Sequence, residues 1–161
     1  MIIILMGVSG SGKTTIGQRL AQALSWPFYD GDQFHPPANI AKMQQGIPLT
    51  DEDRWPWLHE LRARIETWIQ QNVSAVLACS ALKQAYREYL INDEVGVRLV
   101  YLKGDFDFIH ERLAQRRGHF MPPGLLASQF AALEEPEQGV VVDIVHPPET
   151  IVALIREHLG V

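Results

Sequence analysis

Residues 1–15 read MIIILMGVSGSGKTT. Ile2 to Met6 form an uninterrupted apolar run that stops at Gly7. A short run that is apolar at every position suits a strand covered on both faces, as in a parallel sheet. Gly7-x-x-x-x-Gly12-Lys13-Thr14 follows at once, and Thr14–Leu24 keeps helical spacing, with Ile16, Leu20, Ala23 and Leu24 on one face. Strand, glycine-rich loop and helix form the start of a βα unit and match a phosphate-binding P-loop. Glycine lets the backbone aim its N–H groups at phosphate oxygens, and the helix adds the positive end of its dipole. Gly7, Ser9, Gly10, Ser11, Gly12, Lys13, Thr14 and Thr15 are the expected ATP-binding set. Lys13 is expected on the β- and γ-phosphates and the Thr14 hydroxyl on Mg²⁺.

The same alternation continues outward. Strands are expected at Pro27–Asp30, Val73–Cys79, Val97–Leu102 and Val140–Val145. Helices are expected at Asn39–Gln45, from a start marked by the acidic residues Asp51, Glu52 and Asp53 with Pro56 to about Gln71, at Ala81–Leu90, Phe106–Arg117, Leu125–Leu133 and Glu149–Leu159. Five short apolar strands alternating with helices predict an α/β fold: one domain over residues 1–161, a parallel sheet with helices on both faces. Ligands of such sheets bind beyond the carboxyl ends of the strands.

Asp30-Gly31-Asp32 ends the second strand. Two carboxylates two residues apart point in similar directions, so one can hold a metal-bound water and the other can accept a hydroxyl proton. The same pair also occurs in ordinary turns. Arg54, Lys83 and Arg87 are candidate clamps for an anionic acceptor, since guanidinium suits a carboxylate; exposed helix charges are the alternative. Arg112 and Arg116 are four apart on one helix face, where one could stack on adenine and another neutralise transition-state charge; a solvated helix face is the alternative. Trp57 and Trp68 read as core, and Cys79 as a buried thiol.

Composition narrows the classes. Hydrophobic residues make up 47% of the 161 and charged residues 20%, which is a globular balance. The net charge of −5 disfavours a nucleic-acid partner. A single cysteine excludes an intrachain disulfide and suits the cytoplasm. The five-residue apolar run is too short for a membrane span. No Asn-Lys-x-Asp guanine motif occurs, and Asp93-Glu94-Val95-Gly96 precedes a strand where a GTPase motif follows one.

Together GVSGSGKTT, FYDGDQFHPPANIAKMQQGIPLTDEDRWPWL, CSALKQAYR, YLKGDFDFIHERLAQRRGHFMP and LLASQFAALEEP resemble the bacterial gluconate kinases over nearly the whole chain. The resemblance implies a three-layer P-loop kinase fold with strand order 2-3-1-4-5, a substrate-binding region over 33–71 and a short lid over 117–124. It implies transfer of the γ-phosphoryl of ATP to the 6-hydroxyl of D-gluconate by a Mg²⁺-dependent cytoplasmic homodimer. By similarity to shikimate kinases, Asp30 organises the Mg²⁺ waters and Asp32 is the base. By similarity to adenylate kinases, Arg112 stacks on adenine and Arg116 contacts phosphate. His35, Asn39, Arg54, Lys83 and Arg87 are the residues expected to bind the sugar acid. No carboxylate follows the third strand, where Cys79-Ser80 stand, which leaves Asp30 as the metal organiser.

Overall fold

The computed structural model describes residues 1–92, 95–115 and 123–161. Five strands form one sheet in the order β2-β3-β1-β4-β5, all parallel: β1 Ile2–Met6, β2 Phe28–Asp30, β3 Ala75–Ala78, β4 Val97–Lys103 and β5 Val140–Asp143. β1 is central, and each of its five residues is at most 1% exposed. Burying five such side chains contributes on the order of 10 kcal/mol before the entropy of ordering them is set against it.

Alternation along β1 divides the core. Ile3 and Leu5 face α1 (Lys13–Leu24), α5 (Phe106–Ala114), α6 (Pro123–Ala132) and α7 (Pro148–Leu159), where Leu20, Ile109, Leu126 and Ile155 pack. Ile2, Ile4 and Met6 face α3 (Asp51–Gln70) and α4 (Gln84–Ile91), where Trp57, Leu61, Ile65 and Leu90 pack. The three layers and strand order are those expected. Among the described residues no helix is long and apolar enough to cross a membrane.

Several boundaries differ from expectation for local reasons. α3 starts at Asp51, at the head of the acidic stretch expected to open it and before Pro56, because Thr50 and Asp53 form a capping box: Asp53 N–H donates to Thr50 Oγ1 (3.1 Å) and Thr50 N–H to Asp53 Oδ2 (2.9 Å). Pro56 lies inside the helix. α4 starts at Gln84, not at Ala81, because Ala81 has φ 44°, a left-handed conformation that no helix can contain. β5 ends at Asp143, whose Oδ1 accepts the Val145 N–H (3.0 Å) and turns the chain. Two elements are placed around the site as well: a 3₁₀ turn at Gly31–Phe34, where a turn-rich stretch was expected, and α2, Pro37–Gln44. Arg116 and residues 117–122 of the expected lid lie outside the described residues.

Candidate active site

The P-loop leaves the carboxyl end of β1 and turns into α1 through Gly12, which has φ 95°, a conformation that favours glycine. The first intrahelical bond runs from Ile16 N–H to Gly12 O (2.8 Å), so the amides of Lys13, Thr14 and Thr15 are unpaired within the helix and suit an anion. Gly7 N–H donates to Ser80 O (3.3 Å), tying the loop to the end of β3. Lys13 Nζ donates to Gly7 O (2.9 Å) and Val8 O (3.0 Å), which holds the ammonium at the rim of the loop. Burial pushes the Lys13 ammonium below its ordinary range, against the pull of Asp32 and Asp30. Ser11 Oγ, 1% exposed, makes no hydrogen bond among the described residues.

Asp30 and Asp32 flank Gly31, whose Cα packs against β3; a side chain there would begin 2.6 Å from Ala78 O. That approach lays the turn across the end of the sheet beside the P-loop. Asp30 Oδ1 accepts the Asp32 N–H (3.0 Å), and Thr14 Oγ1 donates to Asp30 Oδ2 (3.4 Å). The oxygen pair of Thr14 and Asp30 is of the kind a hard divalent cation prefers. Among the described residues no cluster of three or more protein ligands forms, so a cation here would take its other oxygens from water and phosphate. Desolvation raises the Asp32 carboxyl above the usual aspartate range, with Lys13 opposing and Asp30 reinforcing. The side chain is 58% open to solvent, so water still reaches the carboxyl and opposes that desolvation.

A cavity of about 90 Å³, with room for several water-sized groups, opens at this point. Ser9, Lys13, Asp32, His35, Arg54 and Trp57 line it, and Met43, Pro48, Leu125 and Gln129 are among the other wall residues. His35 is stacked on Trp57 (centroids 4.2 Å apart), and Trp57 Nε1–H donates to Gly31 O (2.7 Å). Burial pushes the His35 imidazole down to about 4, helped by Arg54, so the ring is neutral. A larger groove, about 850 Å³, runs between α4 and the segment after α6. Glu88, Glu134, Glu135 and Glu137 line it and no P-loop residue does, so its charge is wrong for a phosphate or an acid.

The structure therefore gathers Lys13, Asp32, His35 and Arg54 as expected, and places Thr14 and Asp30 beside them. The other three expected sugar-acid contacts depart from this. Arg87, 3% exposed, spends its guanidinium inside the fold: Nη1 donates to Ala81 O (2.9 Å) and Leu82 O (3.0 Å), Nη2 to Gln84 Oε1 (3.0 Å) and Glu134 O (2.7 Å). It braces the loop containing left-handed Ala81 and does not line the cavity. Lys83 is paired with Asp51 (2.7 Å) outside the wall, in a network with Tyr86, which bonds Asp51, and Arg54, which donates to the Tyr86 hydroxyl (3.3 Å). Asn39 is buried behind His35. Arg112 approaches the P-loop: a side chain built on Gly12 would lie 3.7 Å from its Nη2, and its guanidinium sits 6.0 Å from the Phe108 ring.

Two wall residues were not legible. Gln129 of α6 grips the P-loop tip: its Oε1 accepts the Ser9 N–H (2.7 Å) and its Nε2 donates to Ser9 Oγ (3.2 Å). The partners lie 120 positions apart, and one glutamine on a helix carries no local signal. Trp57 read as core and is core, but its indole also supports the aspartate turn. Cys79 is 1% exposed and burial pushes its thiol up to about 12.

A P-loop at the central strand, a carboxylate at its mouth and an adjoining cationic cavity define a P-loop phosphotransferase of the small-molecule kinase class. Residues 9–155 match the family model described as shikimate kinase. The chain is 48% identical to the thermosensitive gluconokinase of Escherichia coli K12, covering 96% of this chain and 84% of that protein. It is 45% identical to the gluconokinase of Gluconobacter oxydans 621H, over 96% and 89%. The crystal structure of a gluconokinase from Sinorhizobium meliloti 1021 superposes with a TM-score of 0.89 at 43% identity, over 98% of this chain and 90% of that one. The chain belongs to the gluconokinase family, within the wider group that the shikimate kinase model describes.

Proposed function

We propose that this enzyme transfers the γ-phosphoryl group of ATP to the 6-hydroxyl of D-gluconate, giving 6-phosphogluconate and ADP. The observation that carries the reading is the convergence of Lys13, Asp32 and Arg54 on one cavity at the P-loop mouth. Lys13 and the free amides at the start of α1 hold the triphosphate. Arg112 serves the nucleotide, and Arg116 joins it by family resemblance. Asp32 takes the proton of the acceptor hydroxyl as its oxygen forms the new bond to phosphorus. Arg54 binds the gluconate carboxylate, and His35 meets the hydroxyls. Thr14 directly and Asp30 through water would hold Mg²⁺, which supplies charge neutralisation on the β- and γ-phosphates. Residues 33–71 form the substrate-binding region and 117–124 the lid of a single domain, which works as a cytoplasmic homodimer.

A coupled ADP-release assay tests this with D-gluconate, L-idonate, shikimate, AMP and no acceptor. Release dependent on gluconate is expected. Release with a different acid would retain the kinase and replace the substrate, and release without acceptor would count against an acceptor site. Asp32→Asn is expected to lower kcat roughly 10²- to 10⁴-fold; near-normal turnover would remove Asp32 as the base.

A further inference from the structure

Asn39 lies behind the cavity, with His35 one turn before it and the first turn of α3 opposite. Its Nδ2 is 2.8 Å from the Asp53 carbonyl oxygen and 3.1 Å from His35 Nδ1. A backbone carbonyl only accepts, so the Asn39 atom facing it must carry hydrogen. That nitrogen has two hydrogens, and the second faces Nδ1. Nδ1 therefore accepts, and the single ring hydrogen of His35 resides on Nε2. Nε2 lies 3.9 Å from Asp32 Oδ1. The gap is too long for a direct hydrogen bond and wide enough for one hydroxyl oxygen to bond both.

We propose that Asn39 is a positioning residue that holds His35 in the neutral Nε2–H form, making His35 a fixed hydrogen-bond donor to a substrate hydroxyl beside Asp32 and denying it the role of base. The role beside Asp32 rests on reading this cavity as the acceptor site; the tautomer does not.

The surroundings agree. Both side chains are buried, and the Trp57 stack, 17° from parallel, fixes the plane of the ring. The charged groups facing the imidazole are Asp32 from the 3₁₀ turn and Arg54 from α3; the contacts from α2 and from Trp57 are neutral. Protonating Nδ1 would set an N–H against the Asn39 amide hydrogens. Among the described residues that line the cavity Asp32 alone is a carboxylate, which leaves it to take the hydroxyl proton. A donor at Nε2 suits a polyhydroxylated acceptor, because an analogue lacking that hydroxyl leaves the buried N–H unpaired.

The test is long-range ¹H–¹⁵N spectroscopy of the enzyme labelled at histidine, with the His35 signals assigned by their loss in His35→Gln. The expected spectrum has an acceptor-type Nδ1 and an N–H-type Nε2, unchanged between pH 5.5 and 8.5. In Asn39→Asp a carboxylate replaces the donor; His35 is expected to gain a hydrogen on Nδ1 and to titrate within that range, with kcat/KM falling on the acid side. A wild-type Nδ1–H form, or wild-type titration near the ordinary histidine value, overturns the proposal. The wild-type spectrum decides even if Asn39→Asp does not fold, and it needs no acceptor, so a wrong substrate and a wrong tautomer are told apart. In turnover, His35→Gln retains an N–H near the Nε2 position and is expected to keep kcat/KM for gluconate roughly ten- to a hundredfold above that of His35→Leu. Equal losses in the two variants would refute the donor role.

Discussion

Replacing Arg87 by methionine separates a structural arginine from a substrate clamp. The guanidinium makes four hydrogen bonds at 2.7–3.0 Å, three of them to the backbone carbonyls of Ala81, Leu82 and Glu134. Methionine fills the volume but donates nothing, and a buried acceptor left unsatisfied costs about 1–3 kcal/mol. Ala81 is held left-handed in the same loop, itself a cost of about 1–2 kcal/mol that the arginine bonds offset. Allowing for partial relaxation and for non-additivity, the loss comes to about 4 kcal/mol, against a total stability of roughly 5–15 kcal/mol. For a domain of this size that lowers Tm by about 10 °C. Thermal unfolding and steady-state kinetics on the same preparation check it. The folded fraction, assayed well below its Tm, should keep its gluconate KM within about twofold, since the lost bonds do not face substrate. A Tm close to wild type with a gluconate KM raised tenfold would refute the reasoning and return Arg87 to the substrate.

Arg54→Met should raise the gluconate KM roughly ten- to a hundredfold with little change for ATP, because a carboxylate loses its cationic partner; a selective ATP defect would contradict that assignment. Gln129→Leu removes both bonds to Ser9, so backbone amide exchange at the P-loop tip should speed up and kcat fall by about tenfold. Unchanged exchange at Ser9 and Gly10 would mean that the contact does not order the loop. Lys42, with the Thr50 N–H, holds the Asp53 carboxyl near 2, against 3.8 ordinarily. A depressed folded value stabilises above the unfolded one and is lost as pH falls through about 2. Tm should therefore drop more steeply between pH 4.5 and 2 in the wild type than in Asp53→Asn, and parallel curves would show that the carboxylate contributes nothing.

Local chemistry was readable where the signal is local. Ile2–Met6 announced a buried strand, Gly7–Thr14 a phosphate loop and Asp30/Asp32 a strand-end carboxylate pair, because each depends on neighbours a few residues away. The acidic stretch before Pro56 marked the start of α3 only loosely, because Pro56 also signals a helix N-terminus; the Thr50–Asp53 box fixes it at Asp51. The partners of Arg87, Lys83 and Asn39 were not legible for another reason. A cation or amide at the right end of a strand is equally suited to a ligand or to a carbonyl of its own chain, and only the fold reveals that Ala81, Asp51 and Asp53 reach them first. The Gln129 contact to Ser9 spans 120 positions, so no window along the chain contains it.

The burial of Cys79 makes the wild-type chain a quiet background for labelling chemistry. Thiolate, not thiol, reacts with maleimides, and a fully covered sulfur titrating near 12 offers almost none at neutral pH. Ala41 on α2 and Ala131 on α6 are both exposed, on helices that contribute Met43 and Gln129 to the cavity wall. Cysteines introduced at those two positions would be modified alone, so paired probes can follow the cavity through a catalytic cycle with the native cysteine left in place.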